Sequence, residues 1–235
     1  MCSGRVDLEF VLRAFSNGID GVFIGGCRLN ECNYVTHGNY HALNMTLLCR
    51  KIMERLGLDP ARLRIEFMSG SEGNVFVEVV DDFIRQIKGL GSLGSESGVN
   101  GNTLKSRLVE VRKLIPYIKV MKNEKLATRL TDPNAYTDFY TREEIDELLD
   151  KVVSYYIDPE KCQACMICQR RCPAEAIDGG KNRIHFINQD KCIKCGACVE
   201  ACPPRFGAAT KISDRPVPPP VSEKERMLSR NTKEK

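Results

Sequence analysis

A cysteine motif that occurs twice constrains this chain more than any other feature of its 235 residues. Residues 157–173 and 187–203 align at an offset of 30 positions, and each copy has the spacing C-x2-C-x2-C-x3-C-P. The chain opens without a basic segment followed by an apolar stretch, so we expect a cytoplasmic protein, in which disulfides are rare. The cysteines of the two copies are therefore predicted to be metal ligands. They are Cys162, Cys165, Cys168, Cys172, Cys192, Cys195, Cys198 and Cys202.

The spacing within each copy favours iron–sulfur clusters over zinc. Three thiolates two residues apart on a tight loop can wrap part of a 4Fe-4S cube, and the fourth iron then needs a ligand from elsewhere. Structural zinc sites instead use C-x2-C pairs separated by a dozen or more residues, often together with histidine. A zinc-stabilised adaptor that docks other subunits is the alternative that the zinc interpretation implies.

The two copies resemble the bacterial two-cluster ferredoxins along residues 155–212. The resemblance implies an α+β ferredoxin-like domain with two 4Fe-4S clusters, in which the last cysteine of each run ligates the cluster of the other run. It assigns the first cluster to Cys162, Cys165, Cys168 and Cys202. It assigns the second cluster to Cys192, Cys195, Cys198 and Cys172.

The first 90 residues alternate between helix and strand patterns, which predicts an α/β domain built on a small parallel sheet. The predicted elements are a helix at 7–15, a strand at 21–26, a helix at 40–56 and a strand at 63–68. A third helix is predicted to follow a capping box in which Ser69 is the N-cap residue and Glu72 is its partner. The apolar face of that helix is predicted to comprise Phe76, Val79, Val80, Phe83, Ile84 and Ile87.

Four strings in the same domain resemble the delta, or iron–sulfur, subunit of methyl-viologen-reducing hydrogenases. They are CSGRVD at 2–7, GVFIGGCRLNECNY at 21–34, HGNYHA at 37–42 and SGSEG at 69–73. The resemblance implies a 2Fe-2S cluster, and the cysteines at family-matching positions are Cys2, Cys27 and Cys32. Cys49 does not match the family pattern and is expected to be a small core residue.

The family pattern also has a strand and further cysteines before the first of these strings. The domain is therefore expected to be truncated at its N-terminus. Because a 2Fe-2S cluster uses four ligands, three interpretations stay open. The start of the sequence is misassigned, another polypeptide supplies the missing ligands, or the cluster is lost and the domain is kept for docking.

Shifts in composition divide the whole chain into consecutive segments. They are the α/β domain at 1–90, a Gly/Ser linker at 91–103, a helical connector at 104–154, the ferredoxin-like domain at 155–212 and a flexible, Pro-rich charged tail at 213–235. Within the connector, apolar residues recur at helical spacing from Leu104 to Ile118, and Pro116 is expected to kink or end that helix. A second helix, capped by Thr141, is predicted to extend an apolar face as far as Tyr156.

The hydrogenase resemblance implies an iron–sulfur electron-transfer subunit of an anaerobic oxidoreductase complex. Such a subunit relays electrons to or from a heterodisulfide-reductase-like flavoprotein subunit, with a hydrogenase or other dehydrogenase subunit as the second partner. The residues agree with this role, because the sequence shows no P-loop, nucleophile–base pair or catalytic carboxylate pair. An oxidoreductase with its own flavin or nicotinamide site is the alternative. Against it, the G-x-G-x-x-G match at 89–94 follows a predicted helix instead of a strand.

The net charge and the length of the apolar runs indicate which kinds of partner to expect. The formal net charge of +4 at pH 7 is too small to predict a nucleic-acid interface. The apolar runs are far shorter than the 18 or so residues that a membrane span requires. We therefore expect the partners to be other protein subunits, with no nucleic acid and no membrane span.

Overall fold

The computed structural model describes most of the chain, namely residues 2–34, 37–95, 101–130, 132–213 and 216–227. The chain forms two compact units, Met1–Leu149 and Asp150–Lys235, which we call the N-terminal and the C-terminal unit. Within the described ranges, no helix is long and apolar enough to cross a membrane.

The N-terminal unit is an α/β structure built on a pair of parallel strands. Its elements in chain order are α1 (Leu8–Ser16), β1 (Val22–Gly26), α2 (Asn39–Leu56), β2 (Leu63–Phe67), α3 (Gly73–Leu90), α4 (Gly101–Lys113), α5 (Ile115–Met121), α6 (Asn123–Ala127) and α7 (Arg142–Asp150). Strands β1 and β2 pair in parallel, with Gly26 opposite Phe67 at their carboxyl ends. The small parallel sheet predicted for this region is therefore confirmed.

Local sequence explains where the first two helices begin and end. The Asp7 carboxylate accepts a hydrogen bond from the Glu9 N–H at 3.0 Å and so caps α1. Helix α2 ends at Gly57, whose left-handed φ of 84° suits glycine. Cys49 is fully buried in α2, and burial raises the pKa of its thiol to about 12. It is the core residue that the sequence predicted.

Helix α3 differs from the sequence prediction because most of its apolar face is exposed. Phe76 and Ile84 are 47% and 43% exposed. Phe83 is the buried residue of this helix and packs against Phe23 of β1, with ring centroids 5.7 Å apart. A pair of five-residue strands is too narrow to cover an 18-residue helix, so the periodicity overestimates the burial.

Two predicted helix termini are wrong. Glu72, not Ser69, is the N-cap residue of α3, although the Glu72 carboxylate accepts a hydrogen bond from the Ser69 N–H at 2.7 Å. Helix α7 begins beside Thr141 as predicted but ends at Asp150 instead of continuing to Tyr156. Tyr156 lies in a strand, in which it pairs with Thr210 of a later strand. Pairing with a distant strand outweighs the local helical periodicity there.

The first helix of the predicted connector matches the expectation more closely. It breaks at the predicted place, since α4 ends at Lys113 and α5 carries Pro116 in its first turn. Asn44 of α2 donates hydrogen bonds to the carbonyl oxygens of Lys125 and Thr128 at 3.0 and 2.7 Å, which attaches α6 to α2. The buried residues of α4 and α5 include Leu104, Leu108, Val111, Ile115 and Ile118. These helices pack within the N-terminal unit.

In the C-terminal unit, the order strand, cysteine loop, short helix, strand occurs twice. The elements are β3 (Ser154–Ile157), α8 (Ile167–Arg171), β4 (Ile177–Gly180), β5 (Arg183–Ile187), α9 (Ala197–Ala201) and β6 (Ala209–Ile212). Strand β3 pairs antiparallel with β6, and β4 pairs antiparallel with β5. Helices α8 and α9 each follow one cysteine loop, and they pack against each other.

Part of the tail that was expected to be flexible is fixed to the C-terminal unit. Arg226 is 4% exposed, and its guanidinium lies 4.4 Å from the centroid of the Phe186 ring. Its Nε donates to the Ile184 carbonyl oxygen at 3.1 Å, and the Ile184 N–H donates to the Arg226 carbonyl oxygen at 2.7 Å. The tail thus contributes one buried arginine to the C-terminal unit.

Candidate iron–sulfur sites

Both cysteine loops have the backbone of an anion-binding nest. Ala164 and Met166 in the first loop have φ angles of 49° and 65°, and Lys194 and Gly196 in the second have 57° and 83°. Left-handed residues that alternate with ordinary ones turn successive N–H groups toward one concave side, as in many iron–sulfur sites. Non-glycine residues adopt this conformation at a cost of about 1–2 kcal/mol each. An anion such as cluster sulfide would offset that cost.

The first group of thiols surrounds one small cavity. Cys162, Cys165 and Cys168 come from the first loop and α8, and Cys202 joins them from the end of α9. Burial raises the pKa of Cys168 to about 11, and the charges of Cys162, Cys165 and Cys202 act in the same direction. The Cys168 thiol therefore stays protonated at neutral pH until a metal displaces its proton. The structure thus brings together the four residues that the sequence assigned to one cluster.

In the second group, Cys198 is the buried thiol. Burial raises the pKa of Cys198 to about 12, and the charges of Cys192, Cys168 and Cys195 add to that shift. Burial also raises the pKa of Cys192, and the charges of Cys195 and Cys172 act in the same direction. The structure therefore brings Cys172 of the first run beside the second group. It also places Cys168 of the first group next to Cys198 of the second.

Hydrogen-bond donors and apolar side chains complete these surroundings. The Ala176 N–H lies 3.3 Å from the Cys172 sulfur, and the Lys194 N–H lies 3.4 Å from the Cys192 sulfur. Such N–H···S bonds help to set the reduction potential of iron–sulfur clusters. The buried apolar residues packed around the cysteines are Ile157, Ile177, Ile184, Ile187, Ala208 and Ala209. They shield the buried thiols of Cys162, Cys168 and Cys198 from water, whereas Cys165 is exposed.

These features fit a cubane cluster in each group. In the described part of the chain, no three Cys, His, Asp or Glu side chains converge closely enough to hold a single metal ion. A 4Fe-4S cluster makes a different demand, because its four thiolates bind four separate irons around a cube. The four thiols of the first group, which line one small cavity, meet that demand.

Three further cysteines meet at the carboxyl ends of the parallel strands in the N-terminal unit. The sulfur atoms of Cys2 and Cys32 are 3.5 Å apart, and Cys27 is close enough to Cys32 to share a hydrogen bond. All three line a cavity of about 740 Å³, together with Met68 and Phe76. This end of the strands is where open α/β sheets bind their ligands. The three residues predicted as 2Fe-2S ligands thus share one cavity.

The surroundings of the Cys32 thiol in this cavity lower its pKa. Burial works to raise its pKa, but the N–H groups of Tyr34 and Asn39 and the neighbouring thiols outweigh burial and hold that pKa below its usual value. Cys49 does not line the cavity. The three thiols are one fewer than the four ligands of a 2Fe-2S cluster. They fit part of such a site, which would need a fourth ligand from outside this set.

Sequence reasoning missed two buried polar residues beside these sulfurs. Asn39 is 1% exposed, donates from Nδ2 to the Cys27 carbonyl oxygen at 2.9 Å and lies 3.7 Å from the Cys27 sulfur. His185 places its Nδ1 3.8 Å from the Cys162 sulfur. Burial and the charge of Arg226 lower the pKa of His185. In the sequence, Asn39 could have been noticed because it lies in the HGNYHA string. His185 could have been noticed from its place in the repeat with an offset of 30 positions.

Comparison with known proteins gives independent evidence for the N-terminal unit. Residues 1–91 match the family described as methyl-viologen-reducing hydrogenase, delta subunit. The chain is 49% identical over 90 residues to the iron-sulfur subunit of the F420-non-reducing hydrogenase of Archaeoglobus profundus, which covers 38% of this chain and 65% of that relative. It is 37% identical over 92 residues to the iron-sulfur subunit of the F420-non-reducing hydrogenase vhu of Methanopyrus kandleri, covering 39% of this chain and 69% of that relative. The chain belongs to the methyl-viologen-reducing hydrogenase delta-subunit family.

Beyond the delta-subunit region, a second family accounts for the cysteine repeat. Residues 154–203 match the family described as 4Fe-4S dicluster domain, and this range contains both cysteine runs.

The chain is also 42% identical over 96 residues to a subunit of the ferredoxin/F(420)H(2)-dependent CoB-CoM heterodisulfide reductase of Methanosarcina acetivorans, covering 41% of this chain and 12% of that relative. This delta-subunit chain thus spans less than two thirds of the Archaeoglobus relative and a small part of the Methanosarcina relative.

Proposed function

We propose that this protein is an iron–sulfur electron-transfer subunit of a hydrogenase or heterodisulfide-reductase-type complex. In this proposal two 4Fe-4S clusters in a ferredoxin-like C-terminal domain relay electrons to or from a flavin-containing partner subunit. The observation that carries the proposal is the grouping of four thiols, three from one run and the last from the other, around one small cavity. When bound, each cluster supplies a centre that accepts and releases one electron.

The residues of the chain have separate tasks in this role. The thiolates of the first group, Cys162, Cys165, Cys168 and Cys202, would hold one cluster. Those of the second group, Cys192, Cys195, Cys198 and Cys172, would hold the other. The charge of Cys168 raises the pKa of Cys198, so the two groups are close in space. A short distance between the groups supports exchange of electrons between them.

The partner is proposed from the relatives and from the N-terminal cavity. The relatives are named as a subunit of a hydrogenase and a subunit of a heterodisulfide reductase, and both are parts of larger assemblies. We propose that Cys2, Cys27 and Cys32 supply three ligands of a 2Fe-2S cluster in the cavity they line. That cluster would extend the relay toward a heterodisulfide-reductase-like flavoprotein and toward a hydrogenase or other dehydrogenase subunit. We propose a cytoplasmic location for this complex.

Reductive titration of the reconstituted full chain tests the relay directly. Under strict exclusion of oxygen, the two C-terminal clusters are expected to take up about two electrons per chain and return them to an oxidised viologen dye. Cys165→Ala is expected to remove about one of these electrons, because Cys165 belongs to the first group alone. Cys49→Ala is the matched control and is expected to leave the count unchanged. The measured quantity is the visible absorption of the iron–sulfur clusters, which decreases on reduction. If this absorption does not change when reductant is added, the chain takes up no electrons and the proposal is contradicted.

Affinity purification of the full chain without oxygen tests the proposed partner. The expected result is a complex that contains a flavin-bearing subunit, identified by its absorption and by mass spectrometry. A chain that carries its own flavin or nicotinamide would support the alternative of an independent oxidoreductase. Zinc without iron or sulfide would support the adaptor.

A further inference from the structure

His185 is a buried side chain next to the first group of thiols, and nothing in the fold alone requires a histidine there. It lies in β5, is 1% exposed and lines the same cavity as Cys165, Cys168 and Cys202. Its Nδ1 lies 3.8 Å from the Cys162 sulfur. Within the described residues, its Nε2 has no hydrogen-bond partner.

The hydrogen-bonding capacity of the Cys162 sulfur determines which ring nitrogen of His185 carries the proton. A cysteine that binds iron does so as the thiolate, which has no proton and can only accept hydrogen bonds. A neutral imidazole carries one N–H, and a buried N–H without an acceptor is costly. If the proton were on Nε2, no described residue would accept it. With the proton on Nδ1, the ring donates to the Cys162 sulfur.

The fold holds the ring in this position from two sides. A Cβ atom added at Gly179 of β4 would overlap the His185 ring, so glycine is what allows the ring to lie against that strand. The neighbouring Ile184 is held at both its N–H and its carbonyl oxygen by Arg226. The imidazole is therefore fixed by packing and by the backbone next to it.

We propose that His185 is a positioning residue that donates a hydrogen bond from Nδ1 to the Cys162 sulfur and thereby raises the reduction potential of the cluster held by the first group. This inference rests on the proposed function. Reduction adds negative charge to a cluster and to its thiolates. An N–H donor stabilises the more negative state more strongly, so reduction becomes more favourable.

The proposed hydrogen bond from histidine to a cysteine sulfur is specific to one copy of the repeat. At the offset of 30 positions, His185 corresponds to Tyr155. The Tyr155 hydroxyl lies against Gly196, at 2.9 Å from where a Cβ atom on that glycine would stand. The two halves therefore place different rings in equivalent positions, an imidazole beside Cys162 and a phenol beside Gly196.

The test is a redox titration of the reconstituted full chain, followed by EPR. His185→Phe keeps an aromatic ring but removes the donor. It is expected to lower the one-electron equilibrium constant for reduction of one cluster by on the order of tenfold, which is about 59 mV, and to leave the other cluster unchanged. His185→Gln restores an N–H donor and is expected to recover part of the shift. Tyr155→Phe is the matched control and is expected not to move the first cluster.

Two outcomes overturn the inference without touching the proposed function. One is His185→Phe with wild-type iron content and wild-type potentials for both clusters. The other comes from pulsed EPR of reduced wild-type protein labelled with 15N-histidine, which does not depend on any variant folding. The chain has three histidines, and His185 is the one in the C-terminal unit. We expect a weak 15N coupling to a cluster spin, and its absence contradicts the hydrogen bond. Wild-type protein without iron would instead contradict the proposed function itself.

Discussion

The sulfur atoms of Cys2 and Cys32 lie 3.5 Å apart, although 30 positions separate the two residues in the chain. They meet because β1 delivers the segment containing Cys27 and Cys32 to the carboxyl end of the parallel pair, where the short turn that contains Cys2 also lies. This relationship is the basis for the proposal of a 2Fe-2S site at that end of the sheet.

Replacing Cys32 with alanine is expected to remove about two irons per chain and to leave the irons of the cubane clusters in place. The reason is that Cys32 contacts the other thiols of the N-terminal cavity and belongs to neither C-terminal group. Iron and acid-labile sulfide are measured on full chain purified without oxygen, with Cys49→Ala as the control. Equal iron in Cys32→Ala and in the wild type would contradict a 2Fe-2S cluster at this site.

Arg62 is expected to be the most sensitive charged residue of the N-terminal unit. It is fully buried, and its guanidinium donates hydrogen bonds at 2.9 to 3.1 Å to carbonyl oxygens before β1, at the last residue of α3 and just after α3. The acceptors are Asp20, Leu90, Gly91 and Ser92. Arg62→Lys cannot make all these bonds and is expected to lower the free energy of unfolding by about 2–4 kcal/mol. Chemical denaturation measures this, and a loss no larger than that of the exposed control Arg85→Lys, about 0.5 kcal/mol, would contradict it.

The iron-free protein is expected to lose stability at alkaline pH. The pKa values of Cys168 and Cys198 are raised to about 11 and about 12 in the folded chain, chiefly by burial, whereas an unfolded thiol ionises near pH 8.5. The unfolded state therefore releases protons first, and the stabilising contribution of the neutral thiols is present below about pH 8.5 and is lost as the pH rises toward the folded values.

Thermal denaturation of the iron-free chain in reductant checks this dependence. The melting temperature is expected to be nearly constant from pH 7 to 8 and to fall between pH 9 and 10.5. Cys198→Ala removes one of the thiols with a raised pKa and is expected to have a shallower fall. A melting temperature that rises over this alkaline range would contradict the burial of these thiols.

Gly196 is expected to tolerate a side chain poorly. Its φ of 83° and the Tyr155 hydroxyl, 2.9 Å from an added Cβ atom, both oppose substitution. Gly196→Ala is expected to cost about 1–3 kcal/mol in the free energy of unfolding of the iron-free chain. Met166→Ala at the equivalent position of the first loop keeps a β carbon and is expected to cost less. If both variants lost the same free energy of unfolding, this would contradict the difference between the two loops.

The sequence predicted those parts of the structure that depend on local pattern. The strand that became β1 was visible as a short apolar run, and the one that became β2 as an alternating pattern. The break at Pro116 follows from the proline ring itself. The cysteine spacing identified the candidate ligands. Their grouping was inferred from the ferredoxin resemblance, and the structure places Cys202 with the first run as that resemblance implies.

The rest depends on contacts between distant residues, which no local pattern reports. The segment around Tyr156 has helical periodicity, but its pairing with β6 makes it a strand. The apolar face of α3 was expected to be buried, yet the narrow sheet leaves Phe76 exposed. Arg226 lies in a charged, Pro-rich tail, and only its contact with β5 shows that it is buried. His185 is one polar residue in an alternating strand, and its inward position became evident from the cavity it lines.

The central claim is that the cysteine repeat holds two adjacent 4Fe-4S clusters. Its most direct test is EPR of dithionite-reduced Cys32→Ala chain, in which the proposed 2Fe-2S site is removed, with iron and sulfide analysis of the same sample. The account predicts about eight irons, about eight sulfides and about two spins per chain. The spectrum is expected to show spin–spin splitting from neighbouring clusters. Colourless protein with zinc, no acid-labile sulfide and no signal after reduction would contradict the account.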